Sequence, residues 1–209
     1  MVFSRFATAV VLASGVLAGS LSAQEKKLQL AAFGGLASPM AELGQVGYPD
    51  GAGGLLYRKF KGGVNFGANA TYWVDTNLGL RVDGTYAGAK VVEPFRAAAA
   101  GSPLELLHET SWTKMFLSVD LVLRAAGDGL KPYAYFGGGV AKMSESGGRK
   151  ASRPTANVGA GLKFTPANGM LGFFAEGGLF VYDFDQTKFT FYDKVQEDLS
   201  IRAGISIGL

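Results

Sequence analysis

The chain has 209 residues, of which 31 are Gly, one is His and none is Cys, and its formal charge is +3. The lack of Cys excludes a disulfide framework and a thiolate metal site, and a single His leaves little to build a zinc site from. The charge is too mild to argue for nucleic acid, and the glycines follow no collagen-like period.

The amino-terminal stretch MVFSRFATAVVLASGVLAGSLSA carries Arg5 near its start, an apolar run from Phe6 to Ala18 and then small residues. That is the layout of a secretory signal, with a cut expected after Ala23. The run is shorter than the about 20 apolar residues of a spanning helix. No Cys follows it, so a bacterial lipid anchor is not expected. The expected mature domain is 24–209, and losing Arg5 lowers its formal charge from +3 to +2. No mature segment is a continuous apolar run of helix-spanning length. A chain can also cross a bilayer as a closed barrel, where each backbone group finds its partner on a neighbouring strand.

Strict two-residue alternation then recurs along the chain. KLQLAAFGGLA puts Leu28, Leu30, Ala32, Gly34 and Leu36 on one face. VNFGANATYWV sets Val64, Phe66, Ala68, Ala70, Tyr72 and Val74 against Asn65, Asn69, Thr71 and Trp73. After the turn Asp75-Thr76-Asn77, Leu78, Leu80, Val82 and Tyr86 oppose Arg81, Asp83 and Thr85. In SWTKMFLSVDLVLR, Met115, Leu117, Val119, Leu121 and Leu123 oppose Lys114, Ser118 and Asp120. KPYAYFGGGVAKM is less regular, and Tyr133 and Tyr135 are assigned to its apolar face. Val158, Ala160, Leu162 and Phe164 oppose Asn157 and Lys163. Leu171, Phe173, Ala175, Leu179 and Val181 oppose Glu176. The eighth run, DLSIRAGISIGL, alternates Leu199, Ile201, Ala203, Ile205, Ile207 and Leu209 with Ser200, Arg202, Gly204, Ser206 and Gly208.

Such alternation means strands with two unlike faces. The runs are about 9 to 14 residues long, which suits tilted membrane strands better than ordinary strands of about 5 to 6. The links at 75–77, 125–129 and 166–169 are short. Those at 37–62, 88–110, 144–153 and 183–197 are long, and PLELLHE (103–109) is expected to supply a helical turn or two. Short turns at one end and long loops at the other are the pattern of an outer-membrane barrel. The expected fold is all-β, an eight-stranded antiparallel up-and-down transmembrane β-barrel, whose last strand pairs with the first and leaves no open edge.

The leader, the eight runs and the terminal GISIGL resemble the small outer-membrane β-barrel family of the OmpA/OmpX type, over nearly the whole mature chain. The resemblance implies both termini on the periplasmic side and a last strand read by the barrel-assembly machinery. Members commonly end in an aromatic residue, from which Leu209 departs. It also implies a setting of outer-membrane lipid and lipopolysaccharide in a Gram-negative-type bacterium.

The inward face carries Arg81, Asp83, Lys114, Asp120, Lys163, Glu176 and Arg202. Counted from the short turns, Arg81, Asp83, Asp120, Lys163, Glu176 and Arg202 share the middle of the barrel. Glu176 is expected to face Arg202 on one side and Lys163 on the other, and Asp120 to face Arg81. An eight-stranded barrel is just wide enough for side chains to fill, so these charges should meet as a plug. A narrow ion path through the same charges is the alternative.

Catalysis would fall to His108, with Ser111 and Glu105 or Glu109. HETS does not match the His-x-Ser of lipid A deacylase barrels, and no enzymatic activity, cofactor or metal is expected. Tyr72, Trp73, Tyr133, Tyr135, Tyr86, Phe180 and Tyr182 lie near strand ends, and those facing lipid would form interfacial girdles. Two basic loop patches, Arg58-Lys59 with Lys61 and Arg149-Lys150 with Arg153, suit solvent, lipopolysaccharide phosphates or an extracellular ligand. The expected function is structural or interactive: stabilising the envelope and presenting long loops. Rivals are a small ion channel, a lipid-modifying barrel and a soluble lipocalin-like carrier.

Overall fold

The computed structural model describes residues 27–40, 42–46, 56–96, 105–126, 129–166, 171–183 and 195–209. The expected signal segment lies outside them. Ten strands form, with no helix among the described residues: β1 (Leu28–Pro39), β2 (Glu42–Val46), β3 (Leu56–Lys61), β4 (Gly63–Trp73), β5 (Leu78–Arg96), β6 (Glu105–Arg124), β7 (Gly129–Glu145), β8 (Lys150–Thr165), β9 (Leu171–Asp183) and β10 (Val195–Gly208). Eight of them close an antiparallel ring in the order β1-β4-β5-β6-β7-β8-β9-β10. The seam between β10 and β1 runs from Gln29↔Gly208 to Pro39↔Asp198. This is the closed eight-stranded barrel the alternation predicts, and closure pairs the last strand completely.

The pairing extends further than the sequence suggests. β5 and β6 stay in register as far as Arg96↔Glu105, so residues expected in a long loop continue the wall. Glu105–Glu109 is strand, not a helical turn. A helix of one or two turns leaves its terminal N–H and C=O groups without partners and is costly to nucleate. Adding rungs to an existing ladder satisfies each group at once. The link at 144–153 likewise shrinks to a tight turn at Ser146–Gly148, where Gly148 takes φ 96°. β2 and β3 continue the β1–β4 hairpin, and β3 joins the upper part of β5 through Lys61↔Lys90.

The pleat sends alternate side chains outward. Leu36, Leu117 and Ile201 are each more than 60% exposed, and Phe66 is 55% exposed. A belt of such residues around the ring is the apolar band of a barrel seated in lipid. On β7 the outward set is Leu130, Phe136 and Val140, so Tyr133 and Tyr135 point inward and the expected assignment is corrected. Their hydroxyls explain the choice, since lipid has no acceptor to offer and the lumen does. Trp73, Phe180 and Tyr182 are also buried inside. Of the seven aromatics considered for girdles, only Tyr72 and Tyr86 remain outside. Tyr86 stacks on Phe66 with ring centroids 4.9 Å apart.

The core is therefore the lumen. At the long-loop end it is filled by Trp112, Phe116, Met143, Phe180 and Tyr182 with smaller neighbours, and Phe116 stacks on Phe180 at 4.5 Å. Nearer the short turns, Phe33 packs with Ala31 and Phe174, and Trp73 with Val122 and Tyr135. Tyr135 lies across the backbone of two glycines. A Cβ on Gly178 would sit 2.1 Å from its hydroxyl, and one on Gly159 2.3 Å from Cζ. Gly178 thus relieves crowding, as its place in a curved strand suggests.

Candidate functional site: the lumen

Arg81 and Asp83 stand two residues apart on β5 and so share the inner face. The register places Asp120 of β6 directly opposite Arg81, and Glu176 of β9 directly opposite Arg202 of β10. All five side chains are buried. Arg81 Nε donates to Asp120 Oδ2 at 2.9 Å, and its Nη1 reaches across the lumen to Glu176 Oε2 at 3.0 Å. Arg202 Nε donates to the other oxygen of Glu176. Its Nη1 donates to Asp83 Oδ1 at 3.1 Å and to Thr85 Oγ1 at 2.9 Å, and its Nη2 lies 2.8 Å from Asp83 Oδ2.

The charges form one chain across the barrel, Asp120–Arg81–Glu176–Arg202–Asp83. Neutral donors add one further hydrogen bond to each carboxylate. Asn157 Nδ2 donates to Asp120 at 2.8 Å, the Thr85 hydroxyl to Asp83 at 2.8 Å, and the Tyr133 hydroxyl to Glu176. Both guanidiniums also lie on aromatic faces. Arg81 is 3.8 Å from the centre of the Tyr135 ring and Arg202 4.2 Å from that of Phe33. Each buried charge thus meets at least one opposite charge, as a charge taken out of water must, although Arg81 Nη2, Asp83 Oδ2 and Arg202 Nη2 make no hydrogen bond of good geometry.

Lys163 differs from its expected place. β8 and β9 pair through Phe164↔Phe173, which sets Gly161 opposite Glu176 and Phe174 opposite Lys163. Lys163 therefore sits nearer the short turns, where its ammonium donates to the side-chain oxygen of Gln29. The register of β8 against β9 therefore does not bring Lys163 to the height of Glu176.

The structure adds a second buried ion pair. Lys114 Nζ lies 3.0 and 2.8 Å from the two oxygens of Asp198, and the Tyr182 hydroxyl donates to Asp198 Oδ2 at 3.1 Å. Asp198 was legible in principle, because it precedes Arg202 by four residues on the same face of β10. Asn65 Nδ2 donates to Ser200 Oγ at 2.8 Å across β1.

Space in the lumen is correspondingly small. A cavity of about 30 Å³ lies at the short-turn end, lined by Gln29, Trp73, Arg124, Lys131, Tyr133 and Lys163 among others. That is room for about two waters. His108 stands opposite Glu93 in the β5–β6 ladder, and its side chain lies outside the described residues. The described residues contain no group of three metal-ligating side chains. Of the two basic patches, Arg58 and Lys59 fall outside the described side chains, and Arg149 is taken up by Glu145 in its own hairpin.

A closed ring of eight antiparallel strands, with an apolar exterior and a lumen filled by charged side chains, defines the fold of the small outer-membrane β-barrels. Solved structures carry the same fold. The Neisserial surface protein A, NspA, superposes with a TM-score of 0.57 at 12% identity, over 90% of this chain and 100% of its own. The outer-membrane protein OprG of Pseudomonas aeruginosa gives 0.55 at 14% identity, over 88% and 96%. No protein-family model matches the sequence, and no curated protein does.

Proposed function

We propose that the chain is an integral outer-membrane protein of a Gram-negative-type bacterium, exported through a cleaved segment 1–23. Its work is done by its outer surface and its long-loop end rather than by transport through its middle. The observation that carries this reading is the filled lumen: a continuous buried ion chain below a close-packed aromatic cluster. The short turns and both termini of the mature chain face the periplasm in this reading. The hairpins β2–β3 and β5–β6 then stand above the outer leaflet.

The role is envelope-stabilising or surface-interacting. Lipid and lipopolysaccharide surround the apolar belt, an extracellular ligand would meet the hairpins, and β10 is the strand offered to the barrel-assembly machinery. No catalytic step is assigned to any residue. A strain lacking the chain, complemented with the full protein or with one whose residues 42–61 are replaced by a short turn, tests the role. Loss of resistance to detergent, restored by the full chain, supports the reading. Unchanged envelope integrity together with loss of uptake of a small solute would refute it in favour of a channel.

A further inference from the structure

The apolar band of the wall ends at a definite rung on the β7–β8 hairpin. On β7 the outward apolar side chains run from Leu130 to Val140. Ten residues at about 3.3 Å each, on a strand tilted by about 40°, rise about 25 Å, which is the height of the apolar band of such barrels. The next outward position is Lys142, and it is exposed. Its partners in register are Met115 of β6, which is 50% exposed, and Ser152 of β8. One outward step higher, Ser144 of β7 stands opposite Lys150 of β8. Met143 and Ala151, between these positions, are buried in the lumen, so Lys142, Ser144, Lys150 and Ser152 share the outer face.

Two lysines thus lie diagonally across two successive outward rungs, each with a serine opposite. Diagonal neighbours on adjacent strands stand about 7–8 Å apart, within reach of long side chains, so both ammonium groups can reach one phosphate. Every residue from Lys142 to Arg153 is described. The segment carries four cations, Lys142, Arg149, Lys150 and Arg153, against one carboxylate, Glu145, which is buried and accepts from Arg149.

Elsewhere the rim has the opposite sign. On β9 and β10 the outward positions above Val181 and Leu199 are Asp183 and Glu197, which stand diagonally to each other across the two strands. The apolar band therefore ends on cations over β7–β8 and on carboxylates over β9–β10.

We propose that the outer face of the β7–β8 hairpin docks a phosphorylated lipid of the leaflet at the long-loop end, its phosphate held by Lys142 and Lys150 with the hydroxyls of Ser144 and Ser152 as neutral donors. The inference rests on the membrane reading above. Its occupant follows from continuity with the band: a lipid whose acyl chains lie against Val140 puts its headgroup at the rung where the band ends. Charge then selects the arc, since a phosphate is attracted over β7–β8 and repelled over β9–β10.

The test folds the mature protein in a neutral detergent and titrates it with lipid A, a bisphosphorylated glycolipid, or with lipid A stripped of both phosphates. Native mass spectrometry counts the bound lipid. Lys142→Gln and Lys150→Gln should each weaken lipid A binding about fivefold, and the two together about twenty-five-fold. The stripped lipid should bind the parent more weakly than lipid A by at least the factor of the double variant. Lys27→Gln/Lys131→Gln removes the same charge at the short-turn end and should leave the affinity at the parent value. Heat-modifiable migration checks that each variant is folded. Equal affinity of the parent for the two lipids would overturn the proposal, as would equal affinity of the parent and Lys142→Gln/Lys150→Gln for lipid A. An equal loss in both double variants would also overturn it, because net charge rather than this face would then attract the lipid. Failure of the membrane reading shows separately, as a mature chain that does not insert into phosphatidylcholine vesicles on refolding.

Discussion

Replacing Arg202 with Met removes a buried cation while keeping most of its stem. Three charge-directed contacts disappear: Nε to Glu176, and the two Nη atoms to Asp83, one of which also serves Thr85. The two carboxylates do not suffer equally. Glu176 keeps Arg81 and Tyr133. Asp83 keeps the Thr85 hydroxyl and the more general influence of the Arg81 charge, but loses its direct ion pair. Breaking a buried pair on one side costs about 3–5 kcal/mol. The assay is equilibrium urea unfolding in lipid vesicles, read by heat-modifiable migration and tryptophan fluorescence. The cost should arise mainly from stranding Asp83, so Arg202→Met combined with Asp83→Asn should recover a good part of it. A loss below about 1 kcal/mol for Arg202→Met, the size typical of exposed pairs, would refute the reasoning. So would a double variant that is simply the sum of the two single ones.

Three further outcomes follow from single contacts. Gly178→Ala places a methyl 2.1 Å from the Tyr135 hydroxyl and should cost about 1–3 kcal/mol, less in a Tyr135→Phe background, by the same unfolding assay. Tyr133→Phe removes the neutral donor to Glu176 and should cost about 1.5–3 kcal/mol without changing the barrel's migration. At the turn after β4, Asp75 Oδ1 accepts from the backbone N–H groups of Asn77 and Leu78, each at 2.7 Å, and these bonds hold its carboxyl below the usual value. A lowered folded value stabilises above the unfolded pKa near about 4 and is lost as pH falls through the folded one. The gap in unfolding midpoint between the parent and Asp75→Ala should thus be constant near neutrality and close below about pH 4; a gap independent of pH would contradict this.

The barrel was legible because its pattern is enforced residue by residue. A one-residue slip would send Leu199, Ile201 and Ile205 into the lumen and Arg202 into lipid, so the alternation could not drift. The pairs Arg81–Asp120 and Glu176–Arg202 were legible for the same reason, since each lies at matching heights on adjacent strands. Lys163 was misplaced because inter-strand stagger is set by the turn and the shear of the ring, which parity does not encode. Tyr133 and Tyr135 were misassigned because a tyrosine suits a lipid interface and a polar lumen equally well. What decided between them was an acceptor on another strand, Glu176, and two glycines that open space for a ring. The long rungs of β5–β6 were hidden because Glu93, Pro94 and Arg96 look like loop residues until a partner strand stands beside them.

Single-channel recording of the mature protein in planar bilayers, beside Arg202→Ala and Glu176→Ala, tests the filled lumen most directly. The account predicts no steady conductance from the parent. Discrete openings in the parent that change when either charge is removed would mean that ions pass through the network, and the lumen rather than the surface would then be the working part.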